Sequence, residues 1–277
     1  MAEMRFRKSD QRLIDAQQSL SWSQDIAQRL IEHFEFINIS PAIIVNLGSG
    51  PGWGNRELLT LFPQAQLINV DMSWLMLESC RGPKHNLWQR LTQKNTLHYL
   101  CSDAEYLAIQ SNSVDVVFCH LLLPVVEGNQ VLQEAKRILK PNGLLIFSNF
   151  GPDTLKEIPN QIKTHQFLQQ LVDMHDVGDA LINLGFQHPV MDRENITLTF
   201  TNHDLLIHDF YTYLGYAMER VQSLKRPTPW LRELLKLQYQ QRSTLDVTVE
   251  INYGHAWKKD IPKTADGRPI IPIQASE

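Results

Sequence analysis

The sequence predicts an α/β chain built on a mostly parallel sheet with helices on both faces. Three observations predict it. Short apolar runs alternate with amphipathic helical stretches from Ile43 to Phe150, which is the rhythm of βαβ units. The first apolar run ends in a glycine-rich turn, Gly48-Ser49-Gly50-Pro51-Gly52-Trp53-Gly54, directly before a helical stretch. The next run ends on an acidic residue, Asp71.

The elements follow in order. Residues 10–35 read as helix, with Ile26, Ala27, Leu30 and Phe34 on one face. After Pro41, Ile43-Ile44-Val45-Asn46-Leu47 is apolar and β-branched, the signature of a buried strand. The helix after the glycine turn points Leu58, Leu59 and Phe62 inward and stops before Pro63. Leu67–Asp71 is the second strand, 73–80 a helix, His98–Asp103 the third strand and Val114–Leu123 the fourth. Gln130–Lys140 is an amphipathic helix ended by Pro141-Asn142-Gly143, and Gly143–Phe150 is the fifth strand. Thr154-Leu155-Lys156-Glu157 has the form of a capping box. Asp176 is placed to cap a helix that buries Val177, Ala180, Leu181 and Leu184 and stops at Gly185. Asn195–Phe200 and Asp246–Trp257 read as strands, with helices between them near 204–216 and 229–241.

The 277 residues suit one domain. Within it, 1–40 form an N-terminal helical cap, 201–245 a helical lid-like insertion and 258–277 a loose tail. A net charge of −4 argues against bulk attraction to nucleic acid or to an anionic membrane. Cys80, Cys101 and Cys119 are odd in number and form no Cys-x-x-Cys, so neither a disulfide framework nor a metal site is indicated. The charged N-terminus is no secretory signal, and no apolar run reaches the ~20 residues of a membrane helix. A cytoplasmic location is expected.

A strand ending in a glycine turn before a helix is a nucleotide-site design. Glycines admit close backbone approach, and the helix start presents unpaired N–H groups. Asp71 stands 19 residues after Gly52, placed to take ribose hydroxyls. Asp103 is placed to meet the adenine edge. The turn is one residue shorter between its second and third glycines than the dinucleotide pattern, which makes NAD(P) the weaker reading. It resembles instead the first motif of class I S-adenosylmethionine methyltransferases.

Further segments carry a closer likeness. Phe147-Ser148-Asn149-Phe150-Gly151-Pro152-Asp153-Thr154-Leu155-Lys156-Glu157 and His175-Asp176-Val177-Gly178-Asp179-Ala180-Leu181 resemble the BioC family, the malonyl-acyl-carrier-protein O-methyltransferases of biotin synthesis. So do Gly185-Phe186, Pro189-Val190-Met191-Asp192, Thr197-Leu198-Thr199 and Tyr253-Gly254-His255-Ala256-Trp257, so that the likeness runs from about Ile26 to Trp257. The resemblance implies a Rossmann-like, seven-stranded class I methyltransferase sheet and S-adenosylmethionine as cofactor. It implies that Gly48, Ser49, Gly50 and Gly52 pack under the cofactor and that Asp71 holds the ribose. Met72 would lie against the adenine, Asp103 and Ala104 would read its edge, and His120 would line the methionine half.

Two departures accompany it. The family ends its first strand on an acidic residue, whereas this chain has Asn46, which can accept from the methionine ammonium but supplies no charge. Where relatives carry a tyrosine before the first helix, this chain reads Ile14-Asp15-Ala16-Gln17-Gln18.

The resemblance implies methyl transfer to the free carboxylate of malonyl-acyl-carrier protein. A carboxylate is already ionised at neutral pH, so no catalytic base is assigned. Arg193 is the candidate fork for the substrate carboxylate. Lys225, Arg226, Arg232 and Lys236 are candidates to dock the acidic carrier, and Phe210–Tyr216 to wall an acyl pocket. Two other readings stay open: a protein-modifying enzyme such as an arginine hydroxylase of the complex I assembly-factor type, and a non-catalytic cofactor-binding or assembly protein.

Overall fold

The computed structural model describes residues 21–81, 96–157, 171–201 and 244–260. Helix α1 (Ser21–Glu32) leads through a 3-10 turn (His33–Phe36) to strand β1 (Ile43–Leu47). Then come α2 (Asn55–Leu61), β2 (Gln66–Asp71), α3 (Trp74–Ser79), β3 (Thr96–Cys101) and β4 (Val114–His120). A second 3-10 turn (Leu123–Val125) precedes α4 (Gly128–Ile138), β5 (Leu139–Phe150), α5 (Met174–Asn183), β6 (Phe186–Phe200) and β7 (Leu245–Lys258). The described strands form one seven-stranded sheet in the order β3-β2-β1-β4-β5-β7-β6. Strands β1 to β5 are parallel, and β7 runs antiparallel to both β5 and β6. This is the class I methyltransferase sheet that the resemblance implied.

The pleat distributes the core. Ile44, Val116, Phe118 and Ile146 face α1 and pack with Ile26 and Leu30. Their neighbours Val45, Val117, Leu145 and Phe147 face the other way, with Val131 and Leu132 of α4 and Val177 and Leu181 of α5. Both faces are buried, which is why these strands read as continuous apolar runs rather than as alternation.

Several boundaries differ from expectation. The third strand ends at Cys101, two residues short of Asp103, and the fourth ends at His120, where Leu121 turns the chain with a φ of 49°. The fifth strand starts at Leu139, so Pro141-Asn142-Gly143 does not precede it. Those residues form an irregularity inside it, with Asn142 at a φ of 60°, and the register steps from Val114↔Leu139 to Val116↔Leu144. The sixth strand starts at Phe186, nine residues before Asn195. Its first half was hidden by Pro189 and by a register shift between Gln187 and Val190, which break the alternation.

Two expected caps also fail. The Thr154 hydroxyl bonds the main chain of Glu250 on β7 and not residue 157, while Glu157 bonds the Thr248 hydroxyl and amide. Bonds to the distant strand β7 outcompete a local capping box here. The cap of α5 is Asp173, which accepts from His175 N, and Asp176 lies in the first turn. Gly185 ends that helix region with a φ of 78°, as its composition required. Lys258 is the last residue of β7, where its ammonium donates to the Leu139 carbonyl at 2.7 Å. The helices expected near 204–216 and 229–241, the lid-like insertion they formed, and most of the N-terminal cap and the tail lie outside the described residues. Among those described, no helix is long and apolar enough to cross a membrane.

Candidate functional site

The parallel half of the sheet opens at the C-terminal ends of its strands into a cleft of about 650 Å³ of open space. That is where a ligand belongs in an open α/β sheet. The glycine turn forms its floor. Gly50 lines the cleft with a φ of 51°, and Gly48 has a φ of 67°. A Cβ on Gly48 would stand 2.7 Å from Leu122 Cδ1 in a left-handed conformation, so a larger residue there is strained and must displace the Leu122 side chain.

Asp71 ends β2 inside this cleft, only 5% exposed. Its Oδ2 accepts from Gly50 N at 3.0 Å and its Oδ1 from Ser73 N at 2.8 Å. One carboxylate thus braces the glycine turn against the start of α3. Met72 follows it in the wall, half exposed. The opposite wall comes from Ser102, Asp103 and Ala104 beyond β3. Helix α4 grips that loop from behind. Arg137 donates to the Leu107 and Ile109 carbonyls at 2.9 and 2.8 Å, and Glu134 accepts from Leu107 N at 2.7 Å. Arg137 hydrogen-bonds to Glu134, which holds that carboxyl below its ordinary value.

His120, at the end of β4, also lines the cleft and is 6% exposed. Its Nε2 lies 3.0 Å from Ser23 Oγ and its Nδ1 2.8 Å from Ser148 Oγ. The Trp53 ring stands edge-on at 6.1 Å. Burial depresses its pKa to about 3, so the imidazole is neutral at physiological pH.

The structure brings Gly48, Gly50, Asp71, Met72, Asp103, Ala104 and His120 together around one cleft. It places the others elsewhere. Asn46 does not line the cleft but lies beneath the turn, 1% exposed. Its Nδ2 donates toward Asn55 Oδ1 at 3.0 Å, Asn69 Oδ1 at 3.3 Å and the Trp53 carbonyl at 3.4 Å. Ser49 is buried and Gly52 half-buried, both behind the lining. At Gly52 a Cβ would meet Asn55 Nδ2 at 2.7 Å, so this glycine makes room for the asparagine cluster rather than for a ligand. Arg193 lies on edge strand β6, opposite Asn252, with its guanidinium 3.7 Å from Glu250. It is not part of the cleft. Lys225, Arg226, Arg232, Lys236, Phe210–Tyr216 and Ile14–Gln18 lie outside the described residues.

Sequence reasoning missed Trp53, Leu121, Leu122, Val125 and Val126, which close the apolar end of the cleft. Their signal was available for Trp53, a large aromatic set inside a glycine turn. It was not for the stretch from Leu121, which reads as strand.

The residues present fit a nucleoside cofactor: a buried acceptor at Asp71 beside a glycine floor, polar groups on one wall and an apolar end. Comparison with known proteins names the cofactor. The methyltransferase-domain family matches residues 45–147. A malonyl-[acyl-carrier protein] O-methyltransferase of Gallionella capsiferriformans is 35% identical over 255 residues, covering 90% of this chain and 88% of that protein. The chain belongs to the BioC-like family of S-adenosylmethionine-dependent methyltransferases. A malonyl-[acyl-carrier protein] O-methyltransferase 1 of Coxiella burnetii is 31% identical, covering 90% of the chain and 86% of its own length. Among solved structures, a methyltransferase of Thermotoga maritima aligns with a TM-score of 0.52 at 14% identity, over 92% of this chain and all of that one (100%). Phosphoethanolamine N-methyltransferase 2 of Haemonchus contortus, solved with S-adenosyl-L-methionine, gives 0.52 at 19% identity, covering 84% of this chain and 52% of that one. At such identities these structures share the fold with this methyltransferase.

Proposed function

We propose that this methyltransferase esterifies the free carboxylate of a malonyl group carried on acyl-carrier protein. The observation that carries the reading is the chemistry of the cleft's apolar end. The histidine there is neutral and has both nitrogens engaged by serines. A site of this kind suits an acceptor that arrives already deprotonated, and a carboxylate does. The full-length similarity to malonyl-[acyl-carrier protein] O-methyltransferases supports the same substrate.

S-adenosylmethionine, when bound, supplies an electrophilic methyl on a sulfonium. In this reading Asp71 accepts the ribose hydroxyls while keeping its two backbone bonds, and Gly48 and Gly50 let the backbone approach the ligand. Met72 covers the adenine, and Asp103 with Ala104 meets its edge. Asn46 acts indirectly, by holding the Trp53 carbonyl and the turn. His120, Leu121 and Leu122 wall the methionine half and keep water from the reacting pair. Rate enhancement then comes from orientation and desolvation of a carboxylate nucleophile rather than from proton transfer.

The test uses purified protein, S-adenosylmethionine labelled in its methyl group, and malonyl-acyl-carrier protein, with carrier lacking the malonyl group as control. Label in the carrier that requires the malonyl group is the expected result. Absence of label with S-adenosylhomocysteine still binding by calorimetry would sink this substrate and leave the cofactor assignment standing.

A further inference from the structure

Among the described residues, helix α1 meets the surroundings of the cofactor cleft at two points two helical turns apart, one at a residue that lines it and one at the end of the glycine turn. At its start, Ser23 is fully buried and its Oγ lies 3.0 Å from His120 Nε2. Near its end, Ile31 Cδ1 stands 3.1 Å from where a Cβ on Gly54 would be, tight against the close of the glycine turn. The first contact is polar and directional. Ser148 Oγ holds the other ring nitrogen at 2.8 Å and also accepts from Leu121 N at 3.3 Å. The imidazole is therefore pinned from both sides. Turning it over would put carbon where each nitrogen sits and leave buried polar groups without partners. The two hydroxyls come from different parts of the chain, 97 and 28 residues away, so the ring ties helix α1 to the sheet.

We propose that Ser23 is a positioning residue for the cofactor: it fixes His120 so that the ring, and no ring nitrogen, faces the ligand, and it carries cleft occupancy to helix α1. The inference rests on the cofactor assignment above. A neutral ring face against the methionine half leaves no N–H to compete for the ligand's polar groups. Ligand packed against the pinned ring bears on the Ser23 hydroxyl, and through it on a helix whose other end packs against Gly54.

Calorimetry with S-adenosylhomocysteine and backbone hydrogen exchange across residues 24–32 test this on the whole chain. In the wild type the ligand should slow exchange in α1. Ser23→Ala should weaken S-adenosylhomocysteine about fivefold and remove most of that added protection, and Ser23→Thr, which keeps a hydroxyl, should recover both. Ser148→Ala serves as the second variant. It removes the tie internal to the sheet, so it should weaken the ligand while α1 still responds. Affinity within twofold of wild type in Ser23→Ala, undiminished ligand-induced protection in that variant, or a threonine no better than alanine would each overturn the proposal. Wild-type protein that bound no S-adenosylhomocysteine would overturn the cofactor assignment along with it.

Discussion

Among the described residues, the two halves of the sheet each bury one carboxylate, and they use it differently. In the parallel half, Asp71 accepts the amides of Gly50 and Ser73 and opens on the cleft. In the antiparallel half, Glu250 on β7 accepts the amide of Asp153 at 2.5 Å, with Arg193 3.7 Å away and its side chain 1% exposed. It packs so closely on the exit from β5 that a Cβ on Gly151 would stand 2.4 Å from its carboxyl carbon. Both groups brace backbone at the same end of the sheet. Asp71 lines the cleft described above, and Glu250 does not. Satisfied backbone amides therefore do not mark a ligand site, and the open face of the carboxylate does. Short parallel strands of five to seven residues end early enough to leave that face open, whereas β6 and β7 run on for 15 and 14 residues and close over theirs.

The comparison predicts opposite outcomes for the two carboxylates. Glu250→Ala removes a buried acceptor, strands Asp153 N and leaves a gap beside Gly151. Chemical denaturation should show a loss of about 3–4 kcal/mol, with S-adenosylhomocysteine affinity within threefold of wild type in the remaining folded protein. Asp71→Ala should do the reverse by calorimetry: roughly a hundredfold weaker ligand, or about 2.7 kcal/mol, with a smaller fall in stability. If Glu250→Ala abolished binding at unchanged stability, the division between the halves would be wrong.

Histidines sharpen the contrast by pH. Burial lowers His120 from 6.5 to about 3, and burial with the nearby His33 lowers His255 on β7. A depressed histidine pKa means that the unfolded chain binds the proton first. Stability from His120 is thus complete above pH 6.5 and falls as pH drops toward 3. At pH 5 the loss should be about 2 kcal/mol. Denaturation of His120→Asn at pH 7 and pH 5 should show most of that slope gone, and His255→Asn should show less of an effect. The smallest change belongs to Arg193→Ala. Its guanidinium is 48% exposed but Glu250 is 1% exposed, so thermal unfolding should fall by the equivalent of about 1 kcal/mol, with cofactor binding untouched.

How legible the molecule was depends on how local each feature is. The glycine turn, Asp71 and β1 are written in consecutive residues, and each sits where its pattern put it. His120 stands at the end of its strand as expected, but its partners Ser23 and Ser148 come from other elements, and no short-range pattern pairs them. Asn46 reads as a ligand contact by analogy with an acidic residue. Its amide instead turns under the loop because Asn55 and Asn69, nine and 23 residues away, offer acceptors there. Arg193 reads as a carboxylate fork from its chemistry and from its place at the entry to the sixth strand, but strand pairing with Asn252 carries it to the far edge of the sheet. Periodicity likewise missed the first half of β6, where a proline and a slipped register hide a strand that the β7 ladder enforces.

The way Asp71 is held has a consequence for which ligands are refused. Both its oxygens already accept backbone amides, so it meets any visitor as a negative, acceptor-only group at 5% exposure. A sugar bearing free hydroxyls answers it with donors. A sugar carrying a phosphate at that position answers with a second anion where little water is present to screen the pair. If the ribose meets Asp71 as proposed, the residue would accept an adenosine with free 2′ and 3′ hydroxyls and disfavour one phosphorylated on either of them, whatever its 5′ oxygen carries.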